Sequence, residues 1–196
     1  MGELRLHISL VNLLREEQSE AREMKNLIAY FSRKGNNYVG GRILHLPVGN
    51  TEVAAKMIQK STASDSFRID TVKEYPSDYN KTTDVAQHEL RENARPELSG
   101  RVDNMDDYSV IFLGYPNWYG TMPMAVFTFL ERHDFSGKTI IPFCTHEGSG
   151  MGHSESDIKK LCHATKVLKG LPIRGGSVQR AEDDISAWLR ELGVID

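Results

Sequence analysis

Two cysteines, Cys144 and Cys162, are all that the 196 residues carry. That is too few for a disulfide framework or a four-cysteine zinc site, so a reducing compartment is the expected setting. Nowhere does the chain reach the ~18 uninterrupted apolar residues of a membrane span. Residues 4–14 are apolar, but Arg5, His7, Ser9 and Asn12 interrupt them, Glu16 and Glu17 follow, and no small-residue cleavage site comes next. A secretory signal is therefore not expected, and a cytoplasmic location is. A basic excess is missing too: 24 Lys and Arg stand against 27 Asp and Glu, a net charge of -3, which gives no support to a nucleic-acid partner. The histidines (His7, His45, His88, His133, His146, His153, His163) show no metal-ligand spacing, so no metal site is expected. There is no internal repeat or low-complexity tract.

What is present is one domain's worth of alternating strand and helix patterns. With 39% apolar and 26% charged residues, the chain has the composition of an ordinary globular protein. Residues 1–25 differ from the rest: Leu4, Leu6, Ile8 and Leu10 alternate, and a charged helix-forming stretch follows. They are expected to be a largely helical extension that packs on the surface or on a partner subunit, with the domain proper at 26–196. Strands are expected at 26–32, 67–72, 110–114, 139–145 and 166–171, with Pro142 a weak point in the fourth. Helices are expected at 51–60 with Thr51 as cap, and at 79–93, 122–132, 154–162 with a serine cap, and 182–192. Strands alternating with helices imply a parallel sheet covered on both faces.

In such a sheet, ligands bind beyond the carboxyl ends of the strands. Three loops there are unusual. After the first strand comes Ser32-Arg33-Lys34-Gly35-Asn36-Asn37, and later Gly49-Asn50-Thr51-Glu52 opens a helix. Hydroxyls, amides and a helix N-terminus converging in this way make a phosphate cradle. After the third strand, Pro116-Asn117-Trp118-Tyr119-Gly120 offers aromatics to a flat ring. After the fourth, Thr145-His146-Glu147-Gly148-Ser149-Gly150 offers glycines that let backbone amides approach one. Phosphate plus planar heterocycle points to a mononucleotide. A dinucleotide site would show G-x-G-x-x-G after the first strand, which is absent.

From about Asn26 onward the chain resembles the flavodoxins. Ser32 followed by Gly49-Asn50-Thr51-Glu52 is similar to their loop of pattern (S/T)-x-T-G-N-T-E, split by an insertion from Gly35 to Val48. Phe112 to Pro123 is similar to the segment they lay along the flavin ring, and Thr145 to Gly150 to their second ring loop. The resemblance implies an α/β/α sandwich around a five-stranded parallel sheet of order 2-1-3-4-5. It also implies a noncovalent FMN whose phosphate is held by Ser32, Asn50, Thr51 and one or more of Lys34, Asn36 and Asn37. The ring would lie against Pro116, Asn117, Trp118, Tyr119 and Gly120 on one side and Thr145, His146, Glu147, Gly148 and Gly150 on the other. Gly120 and its neighbours are expected to present a backbone group to the ring's redox-active nitrogen.

Residues 145–152 carry no aromatic, whereas electron-carrier flavodoxins sandwich the ring between aromatics from two loops. One ring face is therefore expected to be open, which favours an oxidoreductase with NAD(P)H as transient co-substrate and a quinone-like small molecule as acceptor. The alternative is a nonenzymatic electron carrier that docks to redox partner proteins. No catalytic residue beyond the flavin is expected. His146 is a weak candidate for a proton donor and could equally hold its loop, while a Cys144–His146 nucleophile is set aside because strand cysteines mostly pack. The insertion carries Tyr38, Ile43, Leu44 and Leu46, apolar residues that need a surface to cover, either the flavin edge or another subunit, so a homodimer is a candidate assembly.

Overall fold

The computed structural model describes residues 24–162 and 166–196. The extension expected at 1–25 lies almost wholly outside these described residues. The elements run β1 (Lys25–Tyr30), β2 (Gly35–Val39), β3 (Arg42–Leu46), α1 (Asn50–Thr62), β4 (Asp65–Arg68), α2 (Tyr79–Arg91), β5 (Tyr108–Pro116), α3 (Met124–Arg132), β6 (Thr139–His146), α4 (Ser154–Leu161), β7 (Lys166–Val167), β8 (Leu171–Arg174) and α5 (Glu182–Glu191). The main sheet has the order β4-β1-β5-β6, with β7 and β8 both paired to β6, and every pairing in it is parallel. No helix among the described residues is long and apolar enough to cross a membrane.

The pleat assigns the apolar strand residues to two cores. Leu27, Ala29, Ile111, Leu113, Tyr115, Ile140 and Cys144 face α3 and α4, against Ala125, Val126, Phe129 and Ile158. Their sequence neighbours Ile28, Phe112, Ile141 and Phe143 face α1 and α5, against Ala55, Ile58, Ile185 and Leu189. Gly114 is a glycine in a buried strand for a packing reason: a Cβ there would lie 2.5 Å from Cε2 of the Phe143 ring.

The expected order holds, and the edges depart from expectation. The second strand ends at Arg68 rather than at 72, because β1 ends opposite it at Tyr30. Ile69 gives its N–H to the Tyr30 carbonyl at 2.8 Å, and the ladder then has no partner. The fifth strand is two strands. The Ile140 carbonyl accepts the Leu168 N–H at 2.9 Å. Because backbone groups alternate between a strand's two neighbours, residue 142 faces that same edge, where proline has no N–H to give. The edge breaks opposite it, between Val167 and Leu171. The insertion also has its own structure: β2 and β3 form an antiparallel hairpin separate from the main sheet.

Candidate functional site

The carboxyl ends of β1, β5, β6 and β8 open on a cavity of about 360 Å³. That is within the size range of small-molecule sites. At its α1 end, Gly49 precedes the helix without a side-chain cap of its own. Thr51 is not the cap either, since its Oγ1 shares a buried hydrogen bond of 2.8 Å with Thr145 Oγ1. The Ser32 hydroxyl instead accepts the Glu52 N–H at 3.1 Å, so the cap comes from the end of β1 and ties the two halves of the interrupted loop together. A Cβ at Gly49 would clash with Ser32 Oγ and sit 2.5 Å from the Arg33 carbonyl oxygen, so glycine is what lets the halves close. The first helical bond runs from the Val53 N–H to the Gly49 carbonyl. The amides of Asn50 and Thr51 lie ahead of it, at the positive end of the helix dipole.

Arg33 adds a fixed cation to the same wall. Its guanidinium donates to the carbonyls of Asn36, Pro76 (2.7 Å) and Ser77 (2.8 Å). Burial lowers its pKa and Asp78 opposes the shift, yet an arginine remains charged. Glu52 is committed elsewhere, to Arg68 at 2.6 Å and Lys56 at 2.7 Å.

At the ring-loop end, Trp118 is wedged edge-on between Phe31 and Tyr75, with centroids 5.3 Å and 5.2 Å away. Asn117 stitches the two ring loops together. Its N–H donates to the Thr145 carbonyl at 2.8 Å, its Nδ2 to the Gly150 carbonyl at 2.9 Å, and its Oδ1 accepts the Gly120 N–H at 3.0 Å. The Gly120 carbonyl accepts from the His153 N–H at 2.8 Å. Both backbone groups of Gly120 are therefore hydrogen-bonded inside the protein, which leaves the expected backbone contact to a ring with its neighbours.

Trp118 and Thr121 close a two-residue turn through reciprocal backbone bonds. Tyr119 (φ 54°) and Gly120 (φ 87°) are its central residues. A turn with positive φ at both positions favours Asn-Gly. A tyrosine in the left-handed region costs on the order of 1–2 kcal/mol. The side chain is 47% exposed, and its hydroxyl donates to the Thr83 carbonyl at 3.0 Å.

His146 Nδ1 accepts the Gly148 N–H at 2.9 Å, so it holds its loop. Burial and the nearby Arg174 depress its pKa, which keeps that nitrogen an acceptor. Cys144 is fully buried and burial raises its thiol pKa, which leaves no thiolate for a Cys144–His146 pair. Glu147 Oε2 accepts the Gly40 N–H of the hairpin turn at 3.0 Å. Its Oε1 is buried with no hydrogen-bond partner among the described residues.

Of the residues expected at the site, Asn50, Thr51, Pro116, Asn117, Trp118, Thr145, His146, Glu147 and Gly148 line the cavity together. Ser32, Lys34, Asn36, Tyr119, Gly120 and Gly150 lie off its wall. Ser32 acts through the helix cap, Lys34 is exposed, and Asn36 is a hairpin residue whose Oδ1 lies 3.4 Å from His45 Nδ1. Arg33, Asn37, Tyr38, Tyr79, Ser149 and Gly175 also line the cavity: Asn37 is an expected phosphate candidate, Arg33 and Ser149 fall within the expected loops, Tyr38 belongs to the insertion expected to cover the flavin edge or another subunit, and Tyr79 and Gly175 were not expected. Tyr79 begins α2 and Gly175 follows β8, so both could have been found by reading the loops after the second and fifth strands as closely as the other three. A Cβ at Gly175 would stand 2.6 Å from Glu147 Oε1, which makes it a second cradle position that a side chain would fill. An anion-holding helix end, a fixed cation and a braced indole beside paired polar loops suit a phosphate joined to a planar heterocycle, and so fit FMN.

Comparison with known proteins agrees with this geometry. A family model described as Flavodoxin matches residues 25–192. A protein provisionally assigned as a flavoprotein from Bacteroides eggerthii DSM 20697 is 29% identical, covers 86% of this chain and 98% of its own, and superposes with a TM-score of 0.70. The fold is shared with the flavoprotein of Lactobacillus acidophilus NCFM solved in complex with FMN, at 21% identity over 83% of this chain and 99% of that one, with a TM-score of 0.59. Flavodoxin 1 of Salmonella typhimurium is 28% identical over 127 residues, which is 63% of this chain and only 54% of that protein's length. With the family model spanning nearly all the described residues, this chain belongs to the flavodoxin family.

Proposed function

We infer that the protein binds FMN in the cavity between α1 and the two ring loops and acts as an oxidoreductase between NAD(P)H, or a similar reduced donor, and a quinone-like acceptor. The overall reaction balances as NAD(P)H plus quinone plus one proton giving NAD(P)⁺ plus hydroquinone. FMN, when bound, supplies a ring system that takes up and returns electrons singly or in pairs. The chain's residues supply its position. The amides of Asn50 and Thr51 and the Arg33 charge suit the phosphate, Trp118 offers an indole face, and Asn117 fixes the spacing of the two ring loops.

The observation that carries the enzyme reading is the bareness of the second ring loop. It holds no aromatic, and a Cβ added at Gly148 or Gly150 would meet nothing within 4 Å. The reduced donor can approach from that side. The test is NAD(P)H oxidation by the FMN-loaded protein with 1,4-naphthoquinone as acceptor. Turnover that depends on both FMN and quinone is expected, and its absence with both nicotinamide cofactors would leave the carrier reading. One observation favours that second reading: Tyr38, Ile43 and Leu44 of the hairpin are exposed, and Tyr38 itself lines the cavity. Apolar surface at a cofactor's edge suits a docked protein.

A further inference from the structure

A second cavity of about 200 Å³ adjoins the first, between the N-terminal half of α2 and the Trp118–Thr121 turn. Arg33, Asn37, Tyr79, Asn117 and Trp118 line both cavities, so the two share one wall. The indole in that wall is held edge-on by Phe31 and Tyr75. Thr82, Thr83, Ala86 and Tyr119 belong to the second cavity alone. We propose that this cavity binds the electron acceptor and selects a planar aromatic carbonyl compound of the quinone class, a proposal that rests on the oxidoreductase reading above.

Three features point to that chemistry. The space suits one or two fused rings and is far too small for a dinucleotide. Its walls are aromatic and hydroxylic, and Arg33, the only formal charge among its described lining residues, is the cation that suits the FMN phosphate, so a neutral carbonyl compound is favoured over an ion. Tyr79, whose phenol is kept protonated by burial and by the nearby Tyr119 and Tyr38, is a hydrogen-bond donor on the wall. The third feature is Tyr119. A turn that would be more relaxed with asparagine holds a tyrosine at positive φ, and the ring reaches across to Thr83, closing one side of the cavity. Strain kept at an exposed aromatic that walls a cavity is what a ligand contact accounts for.

The test is calorimetric titration of the FMN-loaded protein with 1,4-naphthoquinone, with no electron donor present. Thr83→Phe fills the cavity from a residue off the FMN wall. Tyr119→Asn removes the aromatic wall and gives the turn a residue it favours, so loss of folding is not at issue there. Each variant is expected to weaken naphthoquinone binding by at least ~10-fold while FMN affinity stays within about twofold of the parent value. Unchanged naphthoquinone affinity in Tyr119→Asn, no binding to the parent protein, or a parallel loss of FMN affinity would each overturn the proposal, the last by giving the cavity to the cofactor. If the protein takes up no FMN, the oxidoreductase reading fails by itself. The same titration on the flavin-free protein then still decides the cavity: binding lost in Tyr119→Asn upholds the site, and binding unaffected by it removes the site.

Discussion

Two glycines shape the cofactor cavity through different kinds of neighbour. Gly49 faces a backbone carbonyl and a buried hydroxyl, neither of which can retreat, whereas Gly175 faces the side-chain ends of Asn50 and Glu147, which can. Gly49→Ala is therefore expected to destabilise the fold by about 1–3 kcal/mol, as overpacking does. It should also lower FMN affinity at least ~10-fold, since the two halves of the loop can no longer close. Gly175→Ala should leave stability within about 1 kcal/mol and still weaken FMN by a comparable factor, because the displaced side chains move into the cavity. Urea denaturation and FMN titration of both variants separate the two effects. At this scale the sequence marked Asn50, Thr51 and Trp118 because they sit in contiguous loops. Gly175 and Tyr79 lie after the fifth and second strands, in loops that carry no motif of their own and yield only to an equally close reading of every carboxyl-end loop. The role of Ser32 was legible in kind but not in target: its hydroxyl serves the Glu52 amide.

Among the elements, the hairpin β2–β3 is the one that no pattern announced. Its residues read as an apolar insertion, because Asn36-Asn37 breaks the alternation that would mark a strand, and Gly40-Gly41 is the turn signal within it. Both glycines have positive φ, which suits a two-residue hairpin connection. An isolated two-stranded hairpin is marginal in water, so contacts to the domain must hold it. One is the bond from the Gly40 N–H to Glu147 Oε2, which joins the hairpin tip to the second ring loop. Glu147→Ala should speed amide exchange in 35–46 by at least ~5-fold while leaving the buried amides of β5 unchanged, as hydrogen-exchange mass spectrometry would read. Equal protection in both proteins would mean that the hairpin is held elsewhere. The split of the edge strand was half legible: Pro142 signalled irregularity in β6, but its effect falls on the neighbouring edge, where the missing N–H would have paired.

For the molecule as a whole, the alternation of strands and helices was enough to imply the parallel sheet and its two covered faces, because strict pleat alternation in β1, β5 and β6 leaves one way to bury both sides. The coupling between parts was not visible in the sequence. Arg68, at the end of β4, reaches both Glu52 in α1 and the Ser32 carbonyl at 2.8 Å. Burial pushes the Glu52 pKa up, but Lys56 and Arg68 outweigh it and hold the group below its usual 4.5. A carboxyl with a depressed folded-state pKa stabilises the fold fully above its unfolded value, and the contribution is lost as pH falls through the folded value. The urea midpoint should thus decline below about pH 4.5, and Glu52→Gln should flatten that part of the profile; an identical profile in the variant would remove Glu52 from the acid response.

The central claim, that the cavity between α1 and the ring loops is an FMN site, is tested most directly by titrating flavin-free protein with FMN and following quenching of the flavin fluorescence. The account predicts saturable uptake of one FMN per chain, weakened in Gly175→Ala without loss of fold. No uptake by the parent protein, or uptake that Gly175→Ala leaves unchanged, would contradict it.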